Sequence, residues 1–252
     1  MQDHINGNFD STLSQMYDSV TEESYYSMFF RSIFCNFSPQ DLEGKAVLDI
    51  GCGNGKLCQL FQEKGARYTM GVDISPAQIQ LARNLYDTPA YQFQVQDAYR
   101  PFFIGKSFDV VSCIYALHFV PDYETLRIAC QNIADHVAFG GIAIVLDITH
   151  DYVYRKAQMN RLRQLSMYEY IPDVEEGQIP PAWSHVKGRV HTPTEVLHID
   201  HIAIHGTNLK RALTEVGFSS VERKNFIHPN ESYVKLWGPN GFNHHLFVCK
   251  KE

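Results

Sequence analysis

The feature that most constrains the fold of this chain is a glycine-rich turn that follows an apolar stretch. Residues 47–55 read Val-Leu-Asp-Ile-Gly-Cys-Gly-Asn-Gly, so a segment that predicts a buried strand runs into glycines at three alternate positions. Glycine lets the backbone turn sharply and lets a ligand approach without a Cβ atom in the way. After the first strand of an open sheet, such a turn lies in the crevice where ligands bind. The alternative is a tight turn with no further role.

Residues 46–148 alternate between β-rich runs and helix-patterned stretches, which is typical of βαβ units and predicts a mostly parallel sheet. Helices are predicted at 76–85, where Ser75 can cap the first turn, at 123–137 and at 208–216. The predicted strands are 46–50, 68–74, 91–95, 108–114, 142–148, 220–226 and 246–250.

This pattern divides the chain into four segments. Residues 1–43 are predicted to form an N-terminal helical arm, 44–148 the ligand-binding core, and 207–252 the completion of the core sheet. Residues 149–206 lack the alternation, and a structureless insert of that length is improbable in a compact domain. We therefore expect the insert to carry its own helices and to cover a substrate as a lid.

Charge and cysteine content restrict the kinds of partner and the cellular location that we expect. The chain has 22 Lys and Arg against 28 Asp and Glu, a formal charge of −6, which disfavours nucleic acid. The six cysteines form no Cys-x-x-Cys pair, which predicts reduced thiols and a cytoplasmic protein. The sequence opens with polar residues and has no long apolar segment, so we expect neither export nor a membrane partner. We also expect a monomer or homodimer.

The residues around the glycine turn bear on the ligand. A dinucleotide-binding loop reads Gly-x-Gly-x-x-Gly, but its last position falls here on Lys56, which weakens the dehydrogenase interpretation. Asp73 ends the second predicted strand, about 20 residues after Gly51, where a carboxylate accepts hydrogen bonds from ribose hydroxyls. Asp73 could instead cap the next helix, although Ser75 suits that role. No Gly-Lys-Ser/Thr phosphate cradle is present, which excludes a P-loop ATPase.

Three short stretches carry a family resemblance: Leu-Asp-Ile-Gly-Cys-Gly-Asn-Gly at 48–55, Gly-Val-Asp-Ile-Ser at 71–75 and Gln-Asp-Ala at 96–98. Together with Phe-Asp-Val-Val at 108–111 and the glycine pair at 140–141, they resemble the successive motifs of class I S-adenosylmethionine methyltransferases, in order and in spacing. The resemblance implies a Rossmann-like α/β sheet of seven strands with the last antiparallel. It also implies S-adenosyl-L-methionine as the cofactor.

By that resemblance, the turn passes under the methionine part of the cofactor and the following motifs hold the nucleoside. Asp49 would help to hold the ammonium, Asp73 would bind both ribose hydroxyls, and Asp97 would accept from the adenine amino group. Two tyrosines of the arm would close over the cofactor, or else serve only helix packing. The remaining residues so implied are Gly51, Cys52, Gly53 and Gly55 in the turn, Ile74 and Ala98 at the adenine, Tyr115 at the methionine end, and Tyr17 and Tyr25 in the arm.

Methyl transfer from a sulfonium is an in-line displacement, and a hydroxyl acceptor benefits from a general base, usually His. His118 follows the fourth predicted strand at its carboxyl end, where functional groups of open sheets gather. Asp147 and His150, at the end of the fifth strand, are the next candidates. The alternatives are a structural loop residue for His118 and solvated polar residues for the other two.

The insert is rich in histidine, at positions 185, 191, 198, 201 and 205. His198, His201 and His205 would share one face if helical, but Ile202 and Ile204 suggest strand alternation instead, and no carboxylate-plus-His motif accompanies them. Pocket lining and exposed surface remain open, and no metal is expected.

The predicted function is methyl transfer to nitrogen or oxygen of a small, aromatic or heteroaromatic molecule. Residues 208–218, 228–231 and 235–237 also resemble toxoflavin-synthase-like enzymes, which implies nitrogen methylation of a small heteroaromatic compound. The alternatives are a non-catalytic binder of the cofactor or of its demethylated product, and a protein or RNA methyltransferase. Aminopropyl transfer would need a carboxylate-rich groove that the sequence does not reveal.

Overall fold

The computed structural model describes residues 33–34, 39–86, 88–166, 168–191, 196–224 and 244–252. Its centre is a seven-stranded sheet in the order β10-β11-β5-β4-β1-β2-β3. The strands of this sheet are β1 Ala46–Ile50, β2 Tyr68–Asp73, β3 Tyr91–Val95, β4 Phe108–Ile114, β5 Val137–Ile148, β10 Ser220–Lys224 and β11 His244–Lys250. Strands β1 to β5 pair in parallel, whereas β11 runs antiparallel to both β5 and β10. The predicted Rossmann-like sheet with an antiparallel last strand is confirmed.

Five α-helices with described bounds connect or flank these strands: α1 Lys56–Glu63, α2 Pro76–Leu85, α3 Tyr123–His136, α4 Lys156–Ser166 and α5 Gly206–Glu215. Residues 33–34 are also helical, and a short 3-10 helix, Pro39–Asp41, precedes β1. The cap predicted for α2 is present, since the Ser75 hydroxyl accepts a hydrogen bond from the Gln78 backbone N–H at 3.3 Å. Asp122 caps α3 in the same way, accepting from the Thr125 N–H at 2.8 Å. Both caps lie in loops that follow carboxyl ends of strands, so they orient the helices that border the site.

The sheet is covered by apolar side chains on both faces. One buried cluster joins the sheet to α3 and α5, with Leu48, Val111 and Leu213 fully buried in it. The cluster on the other face includes Val47, Phe61 and Leu246, together with Ile33 from the arm. Because neighbouring residues of β1 are buried on opposite faces, this strand has the continuous apolar character of a central parallel strand.

The boundary between α3 and β5 differs from the prediction. The sequence predicts a helix through residue 137 and a strand that starts at residue 142, whereas β5 begins at Val137, directly after α3. The register against β4 shifts between Phe108 and Val110, so the glycine pair lies inside an irregular strand. Gly140 has φ 76°, and a Cβ atom on Gly141 would lie 2.8 Å from the Asp109 carbonyl oxygen. The glycines thus bend the strand instead of ending a helix.

The insert at 149–206 carries one helix, α4, as expected of a segment with its own helices, but it also holds strands that the sequence analysis did not predict. Besides α4 it holds a four-stranded antiparallel sheet, in which β7 pairs with β6, β8 and β9. Met159 of α4, Tyr170 of this sheet and Ile148 at the end of β5 pack in one buried cluster. Backbone pairing between distant residues builds this sheet, which is why periodicity within single segments did not reveal it. The three strands beside β7 are β6 Tyr168–Pro172, β8 Val196–His198 and β9 His201–Ile202, and β7 itself is His185–His191.

No helix within the described ranges is both long and apolar enough to span a membrane. The N-terminal arm, apart from residues 33–34 and 39–43, and residues 225–243 lie outside the described structure. Predictions that concern them are not tested by it.

Candidate functional site

The glycine turn joins β1 to α1 and has left-handed backbone at three positions. Gly51, Gly53 and Gly55 have φ values of 79°, 53° and 83°, a region that side-chain-bearing residues rarely adopt. A Cβ atom on Gly51 would lie 2.4 Å from the Ala116 Cβ atom, and one on Gly55 would lie 2.9 Å from the Phe93 ring. On Gly53, by contrast, it would meet only the end of the Gln78 side chain at 3.8 Å. Gly51 and Gly55 are therefore required by the protein itself, and Gly53 is the position that leaves open space.

Asp73, at the end of β2, holds the turn in place. One of its carboxylate oxygens accepts a hydrogen bond from the Gly53 N–H and the other from the Ser75 N–H, both at 2.9 Å. Burial raises the pKa of Asp73, and these backbone donors partly offset that rise. The carboxylate thus lies beside the turn where the resemblance requires it, and each oxygen keeps a lone pair with which it can accept from a further donor.

Asp49 is a buried acid in β1, two residues before Gly51. The Ser112 hydroxyl donates to Asp49 Oδ1 at 2.7 Å, and only 2% of the Asp49 surface is exposed. Burial raises the pKa of Asp49 to about 7, since the hydrogen bond from Ser112 lowers it by less than desolvation raises it. A cationic group placed at this carboxylate would favour its ionised form.

The residues that the resemblance places at the adenine follow the carboxyl ends of β2 and β3. Asp97 accepts from the Tyr99 N–H at 2.8 Å and forms an ion pair with Arg100 at 3.3 Å, so it fixes the turn after β3. The Ala98 carbonyl oxygen accepts from the Asn132 side chain at 2.8 Å. Ile74 is partly exposed after β2, as an apolar face for a ring requires.

Tyr115 follows β4 with φ 55°, a strained value for a residue with a side chain. Its N–H donates to the Leu146 carbonyl oxygen at 2.8 Å, and the Tyr99 hydroxyl donates to the Ala116 carbonyl oxygen at 2.5 Å. Strain of this kind is concentrated at functional sites, where surrounding contacts maintain it. Here these contacts hold the loop after β4 against Gly51.

These groups fit the sulfonium nucleoside that the resemblance implies. Neither Asp49 nor Asp73 pairs with a Lys or Arg within the described structure. Two acidic side chains without such a partner suit a ligand that carries an ammonium and a sulfonium, and they would repel a pyrophosphate. Cys52, in the same turn, is buried against Gly71, and burial raises the pKa of its thiol, which keeps it neutral.

Across the site, His118 and Asp147 form a buried pair. The His118 Nδ1 atom lies 2.5 Å from Asp147 Oδ1, and Asp147 also accepts from the backbone N–H groups of Leu117 and Ile148 at 2.6 and 2.7 Å. His118 is 4% exposed and Asp147 is fully buried. In the neutral ring this contact favours the tautomer with the proton on Nδ1, which donates to the carboxylate and leaves the lone pair on Nε2.

Two further histidines adjoin this pair. The ring centroids of His118 and His201 are 4.5 Å apart, and those of His150 and His201 are 6.5 Å apart. His150 is fully buried and burial lowers its pKa to about 3, while burial lowers the pKa of His201 well below its ordinary value. The structure therefore brings the three predicted residues His118, Asp147 and His150 together and adds His201.

The other histidines of the insert do not join this cluster. His198 is exposed on β8, His185 Nε2 lies 3.5 Å from a carboxylate oxygen of Asp200, and His191 lies 3.0 Å from Glu169. His205 precedes α5, with its Nε2 atom 2.8 Å from the Pro180 carbonyl oxygen. Among the described residues, no group of three or more His, Cys, Asp or Glu side chains is arranged to hold a metal ion.

Some residues at the site carried no clear sequence signal, and some predicted ones are not described. The one sequence signal for Ser112 is its hydroxyl group within a buried strand. The sequence gave no signal for Tyr99. Tyr17 and Tyr25, and the stretches at 228–231 and 235–237, lie outside the described residues.

Comparisons with known proteins agree with this architecture. The family model of a methyltransferase domain matches residues 24–223. The ubiquinone biosynthesis O-methyltransferase of Neisseria meningitidis serogroup C (strain 053442) is 34% identical over 99 residues, which is 37% of this chain and 41% of that protein. The matched stretch thus spans about two fifths of the length of this curated relative.

Solved structures are similar over nearly the whole chain at low identity. The PH0226 protein from Pyrococcus horikoshii OT3 superposes with a TM-score of 0.65 at 18% identity, covering 94% of this chain and 99% of that one. An S-adenosylmethionine dependent methyltransferase from Mesorhizobium loti gives a TM-score of 0.60 at 17% identity, covering 88% and 96%. At this identity the likeness supports the fold.

Proposed function

The chain belongs to the methyltransferase-domain family of class I S-adenosylmethionine-dependent enzymes, and from this premise we propose that it methylates a hydroxyl oxygen of a small aromatic molecule. The observation that carries the choice of oxygen is the buried His118–Asp147 pair, with its 2.5 Å contact at Nδ1. An amine or ring nitrogen attacks through its own lone pair, whereas attack by a hydroxyl is accelerated by a base.

The roles of the residues follow from this geometry. Bound S-adenosylmethionine supplies an electrophilic methyl group on a positively charged sulfur. His118 Nε2 would take the proton of the acceptor hydroxyl as that oxygen receives the methyl group, and the neutral thioether would be the leaving group. Asp147 fixes the tautomer of His118 and stabilises the imidazolium that forms. Asp49 and Asp73 hold the ammonium and the ribose, and the insert excludes water from the reaction.

Three observations support the acceptor class, and a fourth bears on the location of the protein. The name of the curated Neisseria meningitidis relative is that of an O-methyltransferase, in agreement with an oxygen acceptor. Aromatic rings border His118, with Phe119 at 4.2 Å between ring centroids, which suits a flat acceptor. The formal charge of −6 favours a small molecule over nucleic acid. The buried cysteines without disulfides among the described residues suit a reducing, cytoplasmic location.

The experiment compares His118→Asn and Asp147→Asn with the unaltered protein. Each is incubated with S-adenosylmethionine and a panel of phenols, aromatic amines and heteroaromatics, and methylation is measured by mass shift. We expect kcat on a phenol to fall roughly 10²- to 10⁴-fold in both variants, because the base or its orientation is lost. Cofactor affinity, measured by calorimetry, should stay unchanged. The exposed His198→Asn serves as the matched control.

Three outcomes would contradict the proposal in different ways. Undiminished turnover in His118→Asn would show that no base is used there. Methylation of amines but not of hydroxyls would overturn the choice of oxygen. Tight cofactor binding without turnover of any acceptor would favour a non-catalytic binder.

A further inference from the structure

Buried ring nitrogens of His150 and His201 have no hydrogen-bond partner within the described residues. These atoms are both nitrogens of His150 and Nδ1 of His201. His150 is 0% exposed and His201 is 6% exposed. Buried polar groups are nearly always hydrogen-bonded, because leaving one unbonded costs its full desolvation free energy. A cluster of three such atoms beside a candidate base therefore points to a ligand.

The surroundings of these nitrogens are aromatic. Tyr170 meets His201 edge-on at 5.2 Å between ring centroids, and Phe119 stacks on His201 at 5.7 Å with an interplanar angle of 12°. Tyr170 also meets His150 edge-on at 6.4 Å. Flat walls of this kind favour a flat, aromatic ligand.

The charges around the two rings favour a neutral ligand. The titratable groups that bear on them are His118, His185 and His205, and the nearby carboxylate of Asp147 is already engaged by His118 and two backbone N–H groups. Burial keeps both imidazoles neutral near pH 7, so each offers one N–H donor and one nitrogen acceptor. No Lys or Arg forms an ion pair with a residue of this cluster in the described structure, so an anionic ligand would find no fixed cation.

We propose that His150 and His201 form a second polar subsite, which binds a neutral group of the methyl acceptor next to the hydroxyl that His118 deprotonates. This inference rests on the proposed function and narrows its substrate class. The ring centroids of His118 and His201 are only 4.5 Å apart, which suits two polar groups on adjacent positions of one aromatic ring. The acceptor class is thus a neutral arene with two neighbouring hydrogen-bonding groups, as in a catechol.

The insert determines this subsite because it supplies both residues, His150 where it leaves β5 and His201 where it returns to the core. The Ile202 N–H donates to the His118 carbonyl oxygen at 2.7 Å, and the His150 N–H donates to the Ile204 carbonyl oxygen at 2.8 Å. These two bonds fix the return strand of the insert against the ends of both β4 and β5. His201 is therefore a specificity-determining residue that comes from a segment distant in sequence from the base.

A direct test uses the full chain with 15N-labelled histidine, saturated with S-adenosylhomocysteine so that no turnover occurs. Catechol, phenol and salicylate are titrated in turn, and the ring nitrogen resonances are followed by NMR. We expect catechol to shift the ring nitrogens of His150 and His201, phenol to shift mainly those of His118, and salicylate to bind at least tenfold more weakly than catechol. Binding of catechol with no shift at His150 and His201, or tighter binding of salicylate, would overturn the proposal.

A second test uses variants of His201. The preference for catechol over phenol, as a ratio of dissociation constants, should be about tenfold or more in the unaltered protein and close to one in His201→Phe. His201→Asn retains a polar group near the Nδ1 position and should keep most of the preference, whereas a structural role would not separate these variants. His198→Phe, on the neighbouring strand, should behave like the unaltered protein. Equal preferences in His201→Asn and His201→Phe would overturn the subsite.

These tests separate the subsite from the proposed function. If catechol binds with the expected histidine shifts but is not methylated when S-adenosylmethionine is supplied, the proposed oxygen methylation fails and the subsite stands. If catechol and phenol are methylated with equal kcat/KM and His201→Phe changes neither, the proposed function stands and the subsite fails. Should His201→Phe not fold, His201→Asn and the NMR titration still decide between these outcomes.

Discussion

On the cofactor side, Asp49, Asp73 and Asp97 each accept a hydrogen bond from the protein. Under the insert, by contrast, both ring nitrogens of His150 and Nδ1 of His201 find no partner among the described residues. The first region is complete as a folded structure, and a cofactor adds to bonds that already exist. The second region buries polar atoms at a cost that a ligand would offset. On the cofactor side, the residues that would bind the ligand also stabilise the fold. On the acceptor side, the buried nitrogens that would bind a ligand lower the stability of the folded protein.

Asp73→Ala should produce the largest effect, because Asp73 both anchors Gly53 and would bind the ribose. We expect the dissociation constant for S-adenosylmethionine to rise roughly 10²- to 10⁴-fold, from the loss of two hydrogen bonds to a charged group. Isothermal calorimetry measures it, with circular dichroism as a check on folding. Asp135→Ala on the exposed face of α3 is the control. An affinity within threefold of the unaltered protein would place the ribose elsewhere.

Gly51→Ala tests whether the turn is fixed by the protein. The new Cβ atom would lie 2.4 Å from the Ala116 Cβ atom at a backbone φ of 79°. We expect the free energy of unfolding to fall by about 2–4 kcal/mol, from overpacking added to left-handed strain. Gly105→Ala is a matched control, since Gly105 has φ 84° and open space around it, and should cost only about 1–2 kcal/mol. Equal losses in the two variants, measured by urea denaturation, would mean that the contact with Ala116 is unimportant.

The buried acid Asp49 should make cofactor affinity depend on pH. Its pKa is about 7, and an ammonium binds the ionised form, so affinity should rise about tenfold between pH 6 and pH 8. Without cofactor the sign is opposite for stability: the folded state binds the proton more tightly than the unfolded state, so stability falls as pH rises from about 4 to 7. Asp49→Asn should abolish both dependences. A pH-independent affinity in the unaltered protein would contradict the assigned role.

His150→Phe tests the acceptor side and should stabilise the protein. Removing two unpartnered nitrogens while keeping the ring should raise Tm by about 2–4 °C at pH 8. The folded pKa of His150 is about 3, below the unfolded value near 6.5, so the unfolded chain binds more protons between these values and stability is lost as pH falls through them. The gain in Tm should therefore grow at pH 5. A lower Tm at both pH values would show that the imidazole is satisfied and would remove the contrast between the two regions.

The parts of this molecule that sequence predicted are those fixed by neighbouring residues. The cap and Pro76 set the start of α2, whose predicted bounds match those observed, and the glycine turn follows β1 as expected. His118 and Asp147 are each candidates from the sequence because both follow strands at their carboxyl ends, but their pairing appears only in the structure. The start of β5 was misplaced because the same two glycines can end a helix or bend a strand, and only the pairing with β4 decides between them.

The acceptor side could not be predicted to the same depth. The sheet of the insert depends on pairs such as Tyr170 with Gly188, which no local periodicity reveals. His201 was one of five histidines between residues 185 and 205, and only its burial against His118 distinguishes it from the other four. Burial of that kind is set by tertiary packing, so the sequence indicated candidates but could not rank them.

The position of β11 in the sheet has a consequence for synthesis of the chain. β11 lies between β5 and β10, although residues 149–243 separate it in sequence from β5. While the ribosome makes that intervening stretch, the outer side of β5 presents unsatisfied backbone groups beside an apolar surface, which is the kind of edge that recruits strands from other molecules. The nascent chain is therefore prone to aggregation until β11 has been synthesised and has paired with β5.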